Sequence, residues 1–525
     1  MNKLNKTLRH FNVAGPCFKN EHYMIDAKER INGVEQLIAM KQYFVIHAAR
    51  QSGKTTYLQD LADRLNDSGD YYCIYCSLET LQGIEDEKIG IPEIINNIKL
   101  ALRAFKMPNF ELFAKNADFN GFSTVLRFEL SEYCALLDKP LVILFDEADC
   151  LSNGTLISFL RQLRNGYVDR SRLPFVHSLA LVGMRNIRDY KGKIRADRET
   201  LGSASPFNIV TEALTLTNFT KQEISELYAQ HTAELGQVFE PESIELVWQK
   251  TQGQPWLVNA TVREVIEELL NYDYSKPVTA ELCEQAIENI ILRRDVHIDS
   301  LLERLKEERV RKVIEPMITG ESNFESLSDD YQYVKDLGLI KEEGRNIVPA
   351  NPIYADVIIR TLNYDTQRII TNNTPDLTMP KYIKDGQIDM NYLMTDFQNF
   401  WRKNSGIWGQ MIKYQEAAPH LVLMAFLQRV VNGGGQIIRE FAIDTGRTDL
   451  AIIYEGKTYP IELKLWRGEE YYQDGLEQAA KYINGLGCDQ GILAVVNRST
   501  TQSWDEKLYK KTEIINGKTI FVYGL

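Results

Sequence analysis

The sequence predicts an α/β protein in two parts. A first half built on a mostly parallel sheet covered on both sides is followed by a helical stretch and then by a second α/β unit. Three observations predict this. Short strands apolar on both faces alternate with amphipathic helices over residues 42–184, as buried parallel strands do. The period then becomes wholly helical over 220–298, and strand and helix patterns resume near 421 after a polar, Pro-punctuated stretch at 364–380. At ~150 residues per domain, the 525 residues make three or four domains.

The elements follow in order. Strands are expected over 42–48, 71–78, 141–145 and 179–184, and helices over 55–66, 91–105 and 122–137. Short helices and a small β-hairpin at 339–348 occupy 303–360. The last part reads as helix 421–431, strand 436–443, a hairpin turning at Glu455-Gly456-Lys457, helix 474–485 and strand 491–496. No internal repeat or low-complexity tract interrupts the pattern.

Composition narrows the class. Hydrophobic residues at 44% and charged residues at 25% are ordinary globular proportions, which excludes wholesale disorder and collagen-like chains. The 60 Lys and Arg against 72 Asp and Glu give a formal charge of −12, unlike a histone-like DNA coat. No apolar stretch approaches the ~20 residues that span a bilayer, and the basic start lacks the apolar run of a signal peptide. A cytoplasmic protein with no membrane partner is expected. Seven cysteines are an odd number and too few for a secreted disulfide framework. Cys73 and Cys76 form a Cys-x-x-Cys inside an apolar strand, where packing in the core is the expected role.

The first chemical signal is Ala48-Ala49-Arg50-Gln51-Ser52-Gly53-Lys54-Thr55, set between an apolar strand and a helix and followed by Thr56. This is the Walker A pattern with Ala48 in place of its first Gly. Loop amides and the helix start bind phosphate oxygens, Gly53 permits close approach, Lys54 reaches the β/γ-phosphates, and Thr55 ligates Mg²⁺. The second signal is the apolar strand 141–145 ending in Asp146-Glu147, the Walker B pattern. Asp146 holds Mg²⁺ through water and Glu147 polarises the attacking water. The two motifs lie about 90 residues apart, a spacing suited to one nucleotide core.

On these residues, together with Gly253-Gln254-Pro255, the chain resembles the AAA-like ATPases related to the STAND and archaeal-ATPase groups over residues 20–360. The resemblance implies a P-loop parallel-sheet ATPase core, a helical lid whose Pro255 lies against the nucleotide, and ATP with Mg as cofactors. It also implies a winged helix, similar at Asp336-Leu337-Gly338-Leu339-Ile340 and Asn351-Pro352-Ile353-Tyr354. Arg185 follows a strand similar to the one carrying the family's γ-phosphate sensor. Arg188, Arg195 or Arg198 would serve a neighbouring subunit as an arginine finger, so a nucleotide-dependent homo-oligomer is expected.

The third signal is a hairpin near the end. Folding about Gly456 places Asp449 beside Glu462 and Lys464, and Glu462 and Lys464 share one face because strand side chains alternate. Two carboxylates and an ammonium suit metal-dependent phosphodiester hydrolysis. Asp449 and Glu462 offer oxygen ligands for Mg²⁺ with the Leu463 carbonyl between them, and Lys464 positions the nucleophilic water. The competing reading is a surface hairpin with cross-strand ion pairs. The surrounding element order, with Gln478-x-x-x-Tyr482, resembles the PD-(D/E)XK nuclease superfamily over 411–500, Thr448 standing where that signature usually has Pro. An upstream acid often completes the site in that superfamily, and Glu416 and Glu440 are both candidates. Residues 401–525 hold 15 basic against 14 acidic side chains, so this end is the part least repelled by a phosphate backbone.

The expected domains are an N-terminal segment 1–20, an ATPase core 21–218, a helical lid 219–298, a winged helix 299–363, a linker 364–410 and a restriction-endonuclease-like α/β domain 411–525. The expected function is an ATPase whose nucleotide state controls cleavage of DNA; similar fusions look linked to defence against mobile DNA. The alternative is a non-cutting switch whose last domain only binds DNA or a protein. The additional helicase motifs of a DNA motor are not present.

Overall fold

A computed structural model describes residues 8–26, 28–183, 209–318, 329–343, 346–358, 360, 379–411, 418–431, 436–441, 448–466, 468–497, 499 and 502–525. The chain divides into two compact units, Met1–His297 with Gln332–Gly338, and Ile298–Tyr331 with Leu339–Leu525.

The first unit is organised by strands β1 (Tyr43–His47), β2 (Tyr72–Ser77), β3 (Leu141–Asp146), β4 (Ser178–Gly183) and β5 (Val210–Thr215). They form one sheet in the order β2-β3-β4-β1-β5, with every neighbouring pair parallel. Alternation sends Tyr43 and Val45 to the core on one face and Phe44 and Ile46 to the core on the other. Helices cover both faces, which is why these strands are continuous apolar runs. Cys73 and Cys76 lie three apart on β2 and therefore enter opposite cores. Burial pushes both thiols up, that of Cys76 to about 12, so neither is a reactive thiolate.

The helices expected in this half form over Lys54–Ser68, Glu87–Ala104 and Val125–Ala135. A further helix, Asn153–Asp169, was not expected. Its start is rich in weak helix formers, and Gly166 interrupts its pattern. Packing requires that glycine, because a Cβ there would stand 2.1 Å from the Phe175 ring.

The helical stretch comprises Lys221–Leu235, Pro241–Thr251, Pro255–Glu264 and Ala280–Arg293. Thr220 and Glu223 close a capping box at its first helix. Phe11 and Tyr23 of the N-terminal segment enter its core beside Tyr228 and Val258. The segment is tied on by hydrogen bonds from Trp256 Nε1 to the Val13 carbonyl (2.8 Å) and from Asn259 Nδ2 to the Asn12 carbonyl (2.9 Å).

The second unit holds the helix Glu308–Ile318, most of the helix Val296–Arg304 and an antiparallel hairpin of β6 (Ile340–Glu343) and β7 (Asn346–Pro349), while the helix Asp329–Asp336 begins in it and has Gln332 to Asp336 in the first unit. The expected linker is corrected over 379–411. There a two-residue hairpin, β8 (Ile383–Lys384) with β9 (Gln387–Ile388), leads into the helix Met390–Met411. That helix buries Leu393, Met394, Phe397 and Phe400, and Gln398 donates to the Tyr509 and Gly524 carbonyls. It belongs to the final sheet.

That sheet contains β10 (Gln436–Phe441), β11 (Thr448–Tyr454), β12 (Lys457–Leu465), β13 (Gln490–Val496), β14 (Lys510–Ile515) and β15 (Lys518–Gly524), in the order β10-β11-β12-β13-β15-β14. The expected helix–strand–hairpin–helix–strand series is present, with helices Ala418–Val431 and Glu469–Gly485. The closing hairpin β14–β15 was not foreseen. No helix among the described residues is long and apolar enough to cross a membrane.

Candidate functional site

Ala48 to Lys54 link the end of β1 to a helix. Gln51 and Gly53 both take left-handed backbone conformations, φ +57° and +84°. Glycine adopts this freely at 53, whereas Gln51 holds it under strain. No side chain caps the helix Lys54–Ser68, so its first N–H groups are left for a ligand. Ser52 is buried, and its hydroxyl has no hydrogen-bond partner. Arg50 is exposed at the rim, Ala48 is buried at the strand end, and Thr56 Oγ1 accepts from the Cys17 N–H at 3.0 Å.

Across the sheet, Asp146 ends β3 and Glu147 follows in a left-handed conformation (φ +54°). The fold brings the two motifs together. Lys54 Nζ lies 2.5 Å from Glu147 Oε1 and 3.8 Å from Asp146 Oδ1, and Thr55 Oγ1 donates to Asp146 Oδ2 at 2.8 Å. Burial works against the charge on Lys54, but Asp146 and Glu147 outweigh it and its pKa is raised. Burial also raises the Asp146 carboxyl, with Lys54 opposing. A buried carboxylate bonded to the first hydroxyl of the helix is a donor set that fits Mg²⁺.

The helical stretch reaches this loop through Gln254. Its Nε2 donates to the Gln51 carbonyl at 3.2 Å, while its Oε1 caps the helix that begins at Pro255. Gly253 packs tightly against Phe219, since a Cβ there would stand 1.8 Å from the Phe219 carbonyl oxygen. His297 Nδ1 meets Gln51 Oε1 at 2.5 Å, and its ring stacks on Trp256. Burial, with Arg50 adding to it, pushes His297 down to about 3. Arg185, Arg188, Arg195 and Arg198 lie outside the described residues. Sequence reasoning missed Arg30, His297 and Tyr75, whose hydroxyl donates to Asp146 Oδ2 at 3.2 Å. Each is a lone polar residue in an ordinary stretch, and no spacing singles it out.

In the final sheet, Leu450 pairs with Ile461, which sets Asp449 level with Glu462. Glu440 on β10 is directly opposite Asp449 on β11. The backbone positions of Glu440, Asp449 and Glu462 thus form one row across three strands. Glu416 lies outside the described residues, as do the side chains of Asp449 and Glu440. Glu462 is only 2% exposed and its Oε1 lies 3.2 Å from Lys464 Nζ. Leu463 between them is buried. Gly475 lets the helix Glu469–Gly485 press on the lysine stem, its notional Cβ standing 3.1 Å from Lys464 Cγ. On the same helix, Gln478 Oε1 is buried without a hydrogen-bond partner. Among the described residues no cluster of three or more His, Cys, Asp or Glu stands ready for a metal ion.

Residues 124–358 match the family model of an AAA-like domain, a span that includes Asp146, Glu147 and Pro255 and begins after the phosphate loop. Among solved structures, a Walker-type ATPase of Pyrococcus abyssi is 17% identical with a TM-score of 0.46, covering 66% of this chain and 99% of its own. The RuvB Holliday junction branch migration motor of Thermotoga maritima is 12% identical (TM-score 0.33), covering 62% of this chain and 91% of its own. The Aeropyrum pernix ORC1 protein in complex with DNA is 12% identical (TM-score 0.30), covering 63% of this chain and 92% of its own. No curated protein matches the chain. The matched span is thus similar to an AAA-like domain, and the phosphate loop that precedes it packs against its Asp146 and Glu147.

Proposed function

We propose that this protein binds and hydrolyses ATP, and that its nucleotide state controls a Mg-dependent PD-(D/E)XK-type nuclease site in its last domain that cuts DNA. The observation that carries the first part is the convergence of Lys54, Thr55, Asp146 and Glu147 within hydrogen-bonding or ion-pairing reach. The loop N–H groups and Lys54 bind the phosphates, Pro255 and Gln254 bring the lid to the nucleotide, and Glu147 orients the attacking water and takes its proton. Arg185 reads the γ-phosphate, and an arginine from Arg188, Arg195 or Arg198 completes the site of a neighbouring copy in a nucleotide-dependent oligomer. The β6–β7 hairpin with its preceding helices acts as a winged helix.

The second part is supported by the buried Glu462 beside Lys464 and by the register that sets Asp449 and Glu440 in the same row. Lys464 holds the scissile phosphate or the water that attacks it, and Glu462 with Asp449 and the Leu463 carbonyl provides oxygen ligands. At either site magnesium, when bound, supplies neutralisation of developing phosphate charge.

The test is plasmid DNA incubated with the protein, with and without Mg²⁺ and ATP. Nicking or linearisation that requires Mg²⁺, disappears in Glu462→Gln and changes in Lys54→Ala is the expected result. Wild-type protein that hydrolyses ATP and binds DNA without ever cutting it makes the last domain a binding module in a switch.

A further inference from the structure

The phosphate loop has a second layer that neither motif contains. To turn its N–H groups toward a ligand, a loop of this kind must turn its carbonyls outward, and those carbonyls need donors of their own. Gln254 serves the Gln51 carbonyl. Behind Ser52 stands Arg30, from the turn before the helix Val34–Ala39. Its Nη2 donates to the Ser52 carbonyl at 2.8 Å and to the Thr217 carbonyl at 2.6 Å, and its Nε donates to Thr217 at 3.1 Å. The guanidinium lies over the Phe219 ring, and a Cβ at Gly53 would stand 3.2 Å from its Nη1. The fork therefore joins the loop to the segment that follows β5.

The surroundings of this cation are unusual. Arg30 is 5% exposed, and every hydrogen-bond acceptor it meets is a neutral carbonyl. No carboxylate among the described residues forms an ion pair with it. Glu223 acts on it only through space, its carboxylate being engaged by the Thr220 N–H. A buried charge without a counter-charge is costly, and buried guanidinium groups are ordinarily paired. Burial lowers its pKa to about 10, so it remains a cation at neutral pH.

We infer that Arg30 is a positioning residue for nucleotide binding: its fork fixes the outward carbonyl of Ser52 so that the loop N–H groups face the ligand, and its uncompensated charge is matched by the phosphates of the nucleotide. The inference rests on the ATP-binding reading of this loop. It predicts a dependence on phosphate number, because the field of a buried cation acts on the phosphates and hardly on the nucleoside.

The experiment measures binding of ATP, ADP and AMP to the full-length protein by calorimetry, with thermal unfolding as the check on folding. Arg30→Gln is expected to weaken ATP about 10- to 100-fold, the range for losing a charge-assisted hydrogen bond. The loss should be smaller for ADP and smallest for AMP, and Arg30→Lys should recover part of it. Folded Arg30→Gln protein with ATP affinity within about twofold of wild type, or an equal loss for all three nucleotides, would overturn the inference. Should Arg30→Gln not fold, Arg30→Lys decides alone. A smaller ATP-induced rise in melting temperature than wild type supports the inference, and an unchanged rise overturns it. Wild-type protein that binds no ATP would instead remove the ATP reading itself.

Discussion

Replacing Glu147 by Gln should do two opposite things. Glu147 Oε1 sits 2.5 Å from Lys54 Nζ, with the lysine side chain 10% and the glutamate side chain 28% exposed. ATP must take that ammonium from the carboxylate. Glutamine keeps the shape and a weak hydrogen bond but gives up the charge, so binding no longer has to break an ion pair. A partly exposed pair contributes about 1 kcal/mol, which corresponds to ATP affinity rising about fivefold. Turnover should fall by about 10²- to 10⁴-fold, because an amide cannot accept a proton from water. The left-handed conformation at 147 is equally strained for both residues, so backbone strain does not confuse the comparison. Lys54 has a raised pKa and stays charged through neutral and mildly alkaline pH, so the gain in affinity should be flat there. Equilibrium titration with a fluorescent ATP analogue gives the first quantity, and single-turnover hydrolysis gives the second. Unchanged or weaker affinity would show that the pair does not compete with phosphate, and turnover within about threefold of wild type would move the base elsewhere.

Other perturbations test the scaffold. Gly253→Ala should destabilise the first unit by more than about 2 kcal/mol, combining a left-handed alanine with a backbone clash at the Phe219 carbonyl; a urea midpoint near wild type would contradict that close approach. Acid should weaken the same unit through His297. Its folded pKa is depressed to about 3, so its contribution is fully present above the unfolded value of 6.5 and is lost as pH falls from 6.5 toward 3. Between pH 6.5 and 5.5 this amounts to about 1 kcal/mol, and His22, His177 and His231 are lowered in the same direction. Denaturant unfolding at the two pH values should show a smaller loss in His297→Gln than in wild type, and equal losses would assign the effect elsewhere.

What the sequence made legible was what repeats or what is spaced. The buried strands β1 to β4 announced themselves because both faces of a covered parallel sheet demand apolar residues. The two phosphate motifs were legible because loop, helix start and strand end must occur in that order. The hairpin about Gly456 correctly set Asp449 level with Glu462, since register follows from the turn. Elements stabilised by tertiary packing were missed. The helix Met390–Met411 followed a polar stretch and looked like linker, yet it is held by the sheet that Gln398 bonds to. Arg30 and His297 were invisible for a related reason: their importance comes from what folds over them, and no local pattern records it.

The two sites share one physical device. In each, a lysine of low exposure is held by a carboxylate close by: Lys54 by Glu147, and Lys464 by Glu462. An unpaired ammonium of low exposure is costly, and the neighbouring carboxylate offsets that cost. At Lys464 this makes the single and double variants unequal. Glu462→Gln alone takes one carboxylate from beside the partly exposed Lys464, whereas Glu462→Gln with Lys464→Met removes both charges together and should lower the urea midpoint of the final sheet less than the single change does. Arg30 differs from both lysines, because its hydrogen bonds go to the neutral carbonyls of Ser52 and Thr217.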